Sequence, residues 1–117
     1  MGTFVEVAKV KDLPEGAMKQ VSAQGREILL ARTGDKYYAA DNRCPHFLGN
    51  LSRGRLEGTV VICPLHGSRF DLRDGSVQSW APQMPTVLST VSKILRPPRP
   101  LRMHSVKVEG ESILVEI

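Results

Sequence analysis

The sequence predicts an all-β protein, and two features of its pattern lead to this fold class. Apolar and polar residues alternate with a period of two in several short segments, as in strands that bury one face. Turn-forming residues separate these segments, for example at Gly34-Asp35, Asp74-Gly75 and Gly110-Glu111. Short strands with frequent turns are typical of sandwiches and barrels. Because the chain has 117 residues, we expect a single domain over residues 1–117.

The individual strands follow from local patterns. The first segment alternates loosely and ends before a turn at residues 13–16, where Pro14 and Gly16 favour a chain reversal. Later segments are apolar at their centres or rich in β-branched and aromatic residues, and the last two alternate cleanly around Gly110. We predict strands over residues 4–10, 26–32, 36–40, 56–63, 69–72, 105–109 and 112–117.

One segment, residues 81–100, departs from the strand pattern. It contains five prolines, and its apolar residues Val87, Leu88, Val91, Ile94 and Leu95 recur at helical spacing. We therefore expect a short amphipathic helical insert near residues 85–96, bracketed by proline loops. A surface loop without regular structure is the alternative.

Composition and sequence patterns limit the cellular setting. The longest apolar run, residues 60–65, is far shorter than the roughly 20 residues that span a bilayer, so we expect no membrane span. The first residues lack the basic and apolar regions of a secretory signal, which favours a cytoplasmic location. In a reducing cytoplasm, the chain's two cysteines are more typical of metal binding or catalysis than of a disulfide.

Two loops repeat one pair of ligand types. Cys44 and His46 lie in the first loop, and Cys63 and His66 lie in the second, with sixteen residues between His46 and Cys63. A proline follows each cysteine and stiffens the loop, and Gly67 permits a sharp turn beside the second pair. Thiolates and imidazoles together are ligands of zinc and of iron–sulfur clusters. The four residues are therefore candidate metal ligands.

The pattern alone leaves more than one interpretation open. Single Cys and His residues are usually only packed or solvated, although two such pairs at this spacing are an uncommon coincidence. A Cys₂His₂ zinc site is the main competitor, but zinc fingers usually take two cysteines from one segment and two histidines from the other. Here each segment mixes the two residue types, which favours a two-iron cluster.

Longer segments around these residues resemble the Rieske [2Fe–2S] family, in particular its soluble ferredoxins. The resemblance covers roughly residues 4–80, resumes near residue 101, and is strongest in 13–16, 38–43, 51–58 and 63–71. It implies a Rieske fold of stacked antiparallel sheets with two cluster-binding loops at the tip. It also implies that Cys44 and Cys63 hold one iron of a [2Fe–2S] cluster, and that His46 and His66 hold the other.

The resemblance extends to residues that surround the cluster. Two histidine ligands raise the reduction potential into the range of roughly −150 to +300 mV, because reduction then adds charge to a neutral centre. High-potential relatives carry a disulfide at the positions matched here by Gly49 and Leu65, and a tyrosine at the position of Phe70. Ser68 matches their serine, whose hydroxyl donates to a cluster sulfur. Because the disulfide and the tyrosine hydroxyl are missing, this mixed set predicts a potential in the lower half of the range. Gly67, at the turn of the second loop, is the third residue expected next to the ligands.

This resemblance implies an electron carrier and not an enzyme in its own right. It would pass electrons from a reductase to a redox enzyme such as a ring-hydroxylating oxygenase, with protein partners and no nucleic acid. The alternative is a Rieske-like small subunit of a larger oxidoreductase such as nitrite reductase. A catalytic oxygenase chain would need a mononuclear iron site, and only His104 remains as a further histidine. A zinc-binding interaction module is a further alternative.

A few other residues carry weaker expectations. His104 is expected to be packed or solvated in a strand, and Trp80 to be buried in the core. Tyr37 and Tyr38 point to opposite faces of a strand, so at most one is expected in the core. Residues 75–108 contain no acidic residue but five basic ones, namely Lys93, Arg96, Arg99, Arg102 and Lys107. This run indicates a docking surface for an acidic partner, or a solvated basic face over the insert; a helix on a membrane surface is a weaker interpretation.

Overall fold

Antiparallel strands form most of the regular structure in the computed structural model, which describes residues 3–45, 49–65, 67–79 and 99–117. The strands are β1 (Phe4–Lys9), β2 (Met18–Ala23), β3 (Arg26–Thr33), β4 (Lys36–Asp41), β5 (Arg55–Glu57), β6 (Val60–Ile62), β7 (Arg69–Asp71), β8 (Val77–Ser79), β9 (Met103–His104), β10 (Val106–Glu109) and β11 (Ser112–Glu116). Two single-turn 3-10 helices cover Val10–Asp12 and Leu51–Arg53. The prediction of an all-β protein is confirmed.

The strands form three antiparallel sheets. Their orders are β1-β11-β10, β2-β3-β4-β9 and β5-β6-β7-β8. Strand β4 of one sheet leads into the loop that contains Cys44, and strand β6 of another sheet leads into the loop that begins with Cys63. Two separate sheets therefore each carry one of the two cysteine loops.

The four-stranded sheet β2-β3-β4-β9 lies between two apolar cores. On β3, Leu29 and Ala31 pack in one core, whereas Ile28 and Leu30 pack in the other. This arrangement explains why the centre of the strand is uniformly apolar instead of alternating. The first core also contains Cys44, Cys63 and Phe70, so it lies directly beneath the candidate metal site. The second core joins the sheet to β11 through Ile113 and Val115.

Both tyrosines of β4 are partly buried and neither belongs to a core, which agrees with the expectation that at most one lies there. Tyr38 packs against the core that contains the cysteines, and Tyr37 packs against the other. Their side chains point to opposite faces, as predicted. Each face of this sheet is covered, which period-two alternation within one strand does not reveal.

Some strand predictions require correction. The predicted strand over 56–63 is instead a hairpin of β5 and β6, in which Gly58 has φ +62° and turns the chain. Local patterns also did not predict β2, β8 and β9, which are short or polar and are stabilised by pairing with β3, β7 and β4, respectively. Strand formation at these positions depends on a paired neighbour more than on local composition.

The hairpin predictions at glycines are confirmed. Gly34 has φ +60° between β3 and β4, Gly75 has φ +80° between β7 and β8, and Gly110 has φ +61° between β10 and β11. The turn at residues 13–16 also forms, since the backbone N–H of Ala17 donates to the carbonyl oxygen of Pro14 at 3.1 Å.

Other expectations fall on parts of the chain that the model does not describe. The helical insert near residues 85–96 and Trp80 lie outside the described residues. Within the described ranges, no helix has the length and apolar character needed to cross a membrane.

A buried acidic residue closes the turn between β7 and β8 and gives a prediction for acid stability. The Asp71 side chain, which is 7% exposed, accepts hydrogen bonds from the backbone N–H and the guanidinium group of Arg73 at 2.7 to 3.1 Å. These bonds lower the pKa of Asp71 from 3.8 to about 2. The unfolded chain therefore binds this proton more tightly than the folded chain. The stabilisation from Asp71 is present above about pH 4 and is lost as the pH falls to about 2.

We expect Arg73→Ala to destabilise the protein at neutral pH and to have little effect at about pH 2. The control is Arg55→Ala, because Arg55 makes only an exposed 3.8 Å ion pair with Glu57. Urea unfolding of both variants at the two pH values measures the effect. An equal loss of stability for Arg73→Ala at both values would show that Asp71 is not responsible.

Candidate metal centre

The first cysteine loop is closed at its base by backbone hydrogen bonds. The N–H of Cys44 donates to the carbonyl oxygen of Gly49 at 2.8 Å, and the N–H of Leu51 donates to that of Asn42 at 2.8 Å. These bonds bring the two ends of the loop together immediately after β4. Cys44 is fully buried as a result.

Asn42 holds this loop from below, although the sequence analysis did not identify it. Its side chain is fully buried; the Nδ2 donates to Oδ1 of Asn50 at 2.8 Å, and the Oδ1 accepts from the N–H of Ser52 at 3.0 Å. The Ser52 hydroxyl also donates to Oδ1 of Asn50 at 2.6 Å. The amide thus joins the two chain segments that enter and leave the loop. No sequence signal marks this role, because asparagine near a strand end ordinarily indicates a turn.

The second cysteine loop connects β6 to β7 and is equally tight. The N–H of Cys63 donates to the carbonyl oxygen of Ser68 at 2.8 Å, and the N–H of Gly67 donates to that of Cys63 at 3.2 Å. Gly67 has φ +75°, which confirms the prediction of a sharp turn that favours glycine. Cys63 is 3% exposed and Ser68 is 1% exposed.

The two loops lie against each other. A Cβ atom added to Gly49 would lie 2.7 Å from Sγ of Cys63 and 3.1 Å from Cδ1 of Leu65. A side chain at position 49 would therefore overlap the thiol of Cys63, and only glycine fits there. Gly49 and Leu65, which match the disulfide positions of the high-potential relatives, are therefore neighbours here.

The structure brings together those predicted site residues that it describes. Cys44, Cys63 and the fully buried Phe70 belong to one core cluster, and Ser68 lies in the hydrogen-bonded second loop. The two remaining candidates, His46 and His66, lie outside the described residues.

His104 belongs to a different part of the structure. It lies on β9, its side chain is 5% exposed, and its Nε2 is hydrogen-bonded to Oδ1 of Asp41 at 2.8 Å. The expectation that His104 is a packed strand residue is confirmed.

The described residues fit a metal that takes thiolate ligands. Cys44 and Cys63 are buried on two touching loops, and each thiol lies within an apolar core that excludes water. A thiolate is costly in such surroundings unless a metal or another positive charge compensates it. With an imidazole from each loop, the donor set is one that iron–sulfur clusters and zinc both accept.

Comparisons with known proteins distinguish an iron–sulfur cluster from a zinc site. The family model of the Rieske [2Fe-2S] domain matches residues 3–94. The ferredoxin component of biphenyl 2,3-dioxygenase from Rhodococcus jostii (strain RHA1) is 31% identical over 114 residues, which cover 97% of this chain and 92% of that protein.

Solved structures resemble the whole chain as well. The fold is similar to that of a chain in the complex of reduced oxygenase and oxidized ferredoxin in carbazole 1,9a-dioxygenase, with a TM-score of 0.77 and 26% identity, covering 99% of this chain and 94% of that one. A protein described as the small subunit of an NADPH nitrite reductase has a TM-score of 0.72 over 97% of both chains. At 20% identity, that second likeness concerns the fold alone.

Proposed function

The chain belongs to the Rieske [2Fe–2S] domain family, and on that premise we propose that it is a one-electron carrier of the ferredoxin type. It accepts an electron from a reductase and delivers it to a ring-hydroxylating oxygenase. The observation that carries this proposal is the pair of buried cysteines on two touching loops, in a chain that matches a dioxygenase ferredoxin over nearly its whole length. Family membership implies one [2Fe–2S] cluster, as the sequence predicted.

We assign the ligands as the sequence predicts them. Cys44 and Cys63 hold one iron through their Sγ atoms, and His46 and His66 hold the other. When bound, the cluster supplies the reversible uptake of a single electron. The protein contributes the rest: the closed loops fix the two thiolates, and the apolar core beneath them keeps water from their buried side.

Electron transfer takes place at the exposed side of the two loops. Leu65 lies between the second pair of ligands in sequence and is 52% exposed, whereas Cys63 two residues earlier is buried. A partner that docks on Leu65 therefore approaches the centre closely without opening the loop. We place the carrier in the cytoplasm, and we assign it no catalytic residue of its own.

The small-subunit alternative makes a different physical prediction. A permanent subunit would co-purify with a large catalytic chain through a broad apolar interface, whereas a carrier must dissociate after each transfer. The likeness to the nitrite reductase small subunit does not favour that role, because it extends only to the fold. We therefore prefer the carrier.

Metal analysis tests the proposed function directly. Protein purified without oxygen should contain iron and acid-labile sulfide in equal amounts, be red-brown, and give a paramagnetic resonance signal after reduction by one electron. A zinc-binding module would be colourless. Stoichiometric zinc without iron in such a preparation would rule out the carrier.

Ser68 and Phe70 are expected to tune the reduction potential. Ser68→Ala should lower the potential, because a hydroxyl that donates to a cluster sulfur stabilises the added negative charge. Phe70→Tyr should raise it by introducing a donor. A hydrogen bond of about 1 kcal/mol corresponds to roughly 40 mV for a one-electron couple, so shifts of tens of millivolts are expected. Protein-film voltammetry measures them; shifts of the opposite sign would refute these roles.

A further inference from the structure

The exposed face of the two loops has an apolar centre. Pro64 and Leu65 of the second loop are exposed, and Pro45 of the first loop is half-buried. We call these three residues, Pro45, Pro64 and Leu65, the cluster tip. The two loops that carry them are adjacent, because a Cβ atom added to the buried Gly49 of the first loop would lie 3.1 Å from Cδ1 of Leu65.

Arginines flank the cluster tip on the side of the second loop. A pocket of about 270 Å³ is lined by Arg53 and Arg55 together with Cys63 and Pro64. Arg53 ends the short 3-10 helix that follows the first loop, and Arg55 begins β5. Their position depends on Gly54 between them, because a Cβ atom there would overlap the carbonyl oxygen of Ile62.

A second set of arginines flanks the tip on the side of the first loop. A pocket of about 300 Å³ is lined by Arg43, Arg99 and Arg102 together with Pro45 and with Asp41, whose carboxylate is hydrogen-bonded to His104. The Nη2 of Arg99 donates to the carbonyl oxygen of Pro45 at 3.4 Å, which fixes this side chain next to the loop. Residues far apart in sequence thus place positive charge beside each of the two adjacent loops.

Three of these arginines form no ion pair with a carboxylate among the residues that the structure describes. Arg43 forms a two-point ion pair with Glu27, at 2.6 and 3.1 Å, and its hydrogen bonds lower the pKa of that carboxyl. Arg55 lies 3.8 Å from Glu57. In the described part of the chain, by contrast, no carboxylate forms an ion pair with Arg53, Arg99 or Arg102.

We propose that Arg53, Arg99 and Arg102 form an arginine collar that binds carboxylates ringing the docking site of an acidic redox protein. This inference rests on the proposed function and names the kind of partner that the carrier meets. An apolar centre with a charged rim matches the anatomy of protein–protein interfaces, and arginine is enriched in them. A nucleic acid would satisfy the charge of the collar but would leave Leu65 without an apolar partner.

The collar revises the docking surface that the sequence suggested. Arg99 and Arg102 belong to the acid-free run of residues 75–108, but Arg53 lies outside it. Lys107 belongs to the run yet is engaged elsewhere: its Nζ lies 2.9 Å from Oε1 of Glu109 and 4.4 Å from the centre of the Phe4 ring. Lys93 and Arg96, the other basic residues of the run, lie outside the described residues. The partner therefore meets positive charge beside both loops, contributed in part by Arg53 from outside the run.

Single charge reversals with a matched control test the collar. Arg53→Glu and Arg102→Glu each reverse one collar charge, and Lys36→Glu makes the same change in net charge elsewhere. Lys36 is exposed at the start of β4, and the tip lies beyond the strand's other end, about 16 Å away by strand geometry. Polyglutamate serves as the carboxylate-rich probe, and its binding is measured by calorimetry at low and physiological salt.

We expect either arginine variant to weaken polyglutamate binding about five-fold at low salt, and Lys36→Glu to change it less than about two-fold. The difference should shrink as salt rises, since the Debye length falls to about 8 Å at physiological strength. If the three variants bind polyglutamate with equal affinity, binding depends only on the net charge of the protein, and the collar is refuted.

Electron transfer provides a second measurement. The arginine variants should slow oxidation of the reduced protein by anionic ferricyanide and speed oxidation by the cationic tris(phenanthroline)cobalt(III) ion, whereas Lys36→Glu should do neither. A wild-type protein that transfers electrons to neither oxidant would refute the proposed carrier, while polyglutamate binding would still decide the collar. If the arginine variants react with both the anionic and the cationic oxidant at wild-type rates, the collar is refuted and the proposed carrier function stands.

Discussion

Replacement of His66 by Ala, or of Cys44 by Ser, is expected to abolish the paramagnetic signal of the reduced protein and its visible colour. In the proposed ligand set each loop supplies one thiolate and one imidazole, so the loss of any ligand would leave one iron with an incomplete set. Metal binding is also coupled to folding, so the loops should loosen when the cluster is lost. Resonance spectroscopy, iron analysis and thermal unfolding measure the three effects.

His104→Ala is the matched control for the histidine variant. It removes the third histidine of the chain, whose Nε2 is hydrogen-bonded to Asp41 at 2.8 Å. We expect this variant to lose some stability, because a buried hydrogen bond is removed, but to retain iron and the reduced-state signal. A His66→Ala protein with the wild-type signal would overturn the ligand assignment. Loss of iron in His104→Ala as well would show that iron content follows general stability.

Asn42→Ala is expected to cause the largest effect of any residue outside the ligand set. Its fully buried amide joins Asn50 and Ser52, and each buried group left without a partner costs about 1–3 kcal/mol. We expect a loss of about 2–4 kcal/mol in unfolding free energy and a several-fold faster release of iron. Release of iron to a chelator, followed by visible absorbance, measures the second effect.

Gln20→Ala is the control for Asn42→Ala, because Gln20 is also hydrogen-bonded to Asn50. The Oε1 of Gln20 accepts a hydrogen bond from Nδ2 of Asn50 at 3.3 Å, but this contact is exposed to water. Water replaces the lost bond, so we expect little change in stability or in iron release. If Asn42→Ala retains iron as firmly as Gln20→Ala does, Asn42 does not hold the first loop in place.

The fold class and the glycine turns were predictable because they depend on local chemistry. A glycine that adopts positive φ, as Gly34, Gly75 and Gly110 do, turns the chain whatever surrounds it. The strands β2, β8 and β9 were not predictable in the same way. They are short or polar. Each forms because it pairs with a neighbouring strand, β2 with β3, β8 with β7 and β9 with β4, and local composition does not reveal this pairing.

The sequence by itself identified the candidate ligands of the centre. Cys44 with His46 and Cys63 with His66 lie two and three residues apart, so the sequence predicts one pair of candidate ligands in each of two short loops. These residue types suit both zinc and an iron–sulfur cluster, and the match to the Rieske [2Fe-2S] domain model distinguishes the two. The tertiary structure decided how those loops are supported and what surrounds them. Asn42 joins segments ten residues apart, and Arg102 and Arg53, from distant segments, line pockets beside the first and the second loop. Such relations arise only when separate sheets pack on a shared core, because packing fixes distances that spacing along the chain leaves undetermined.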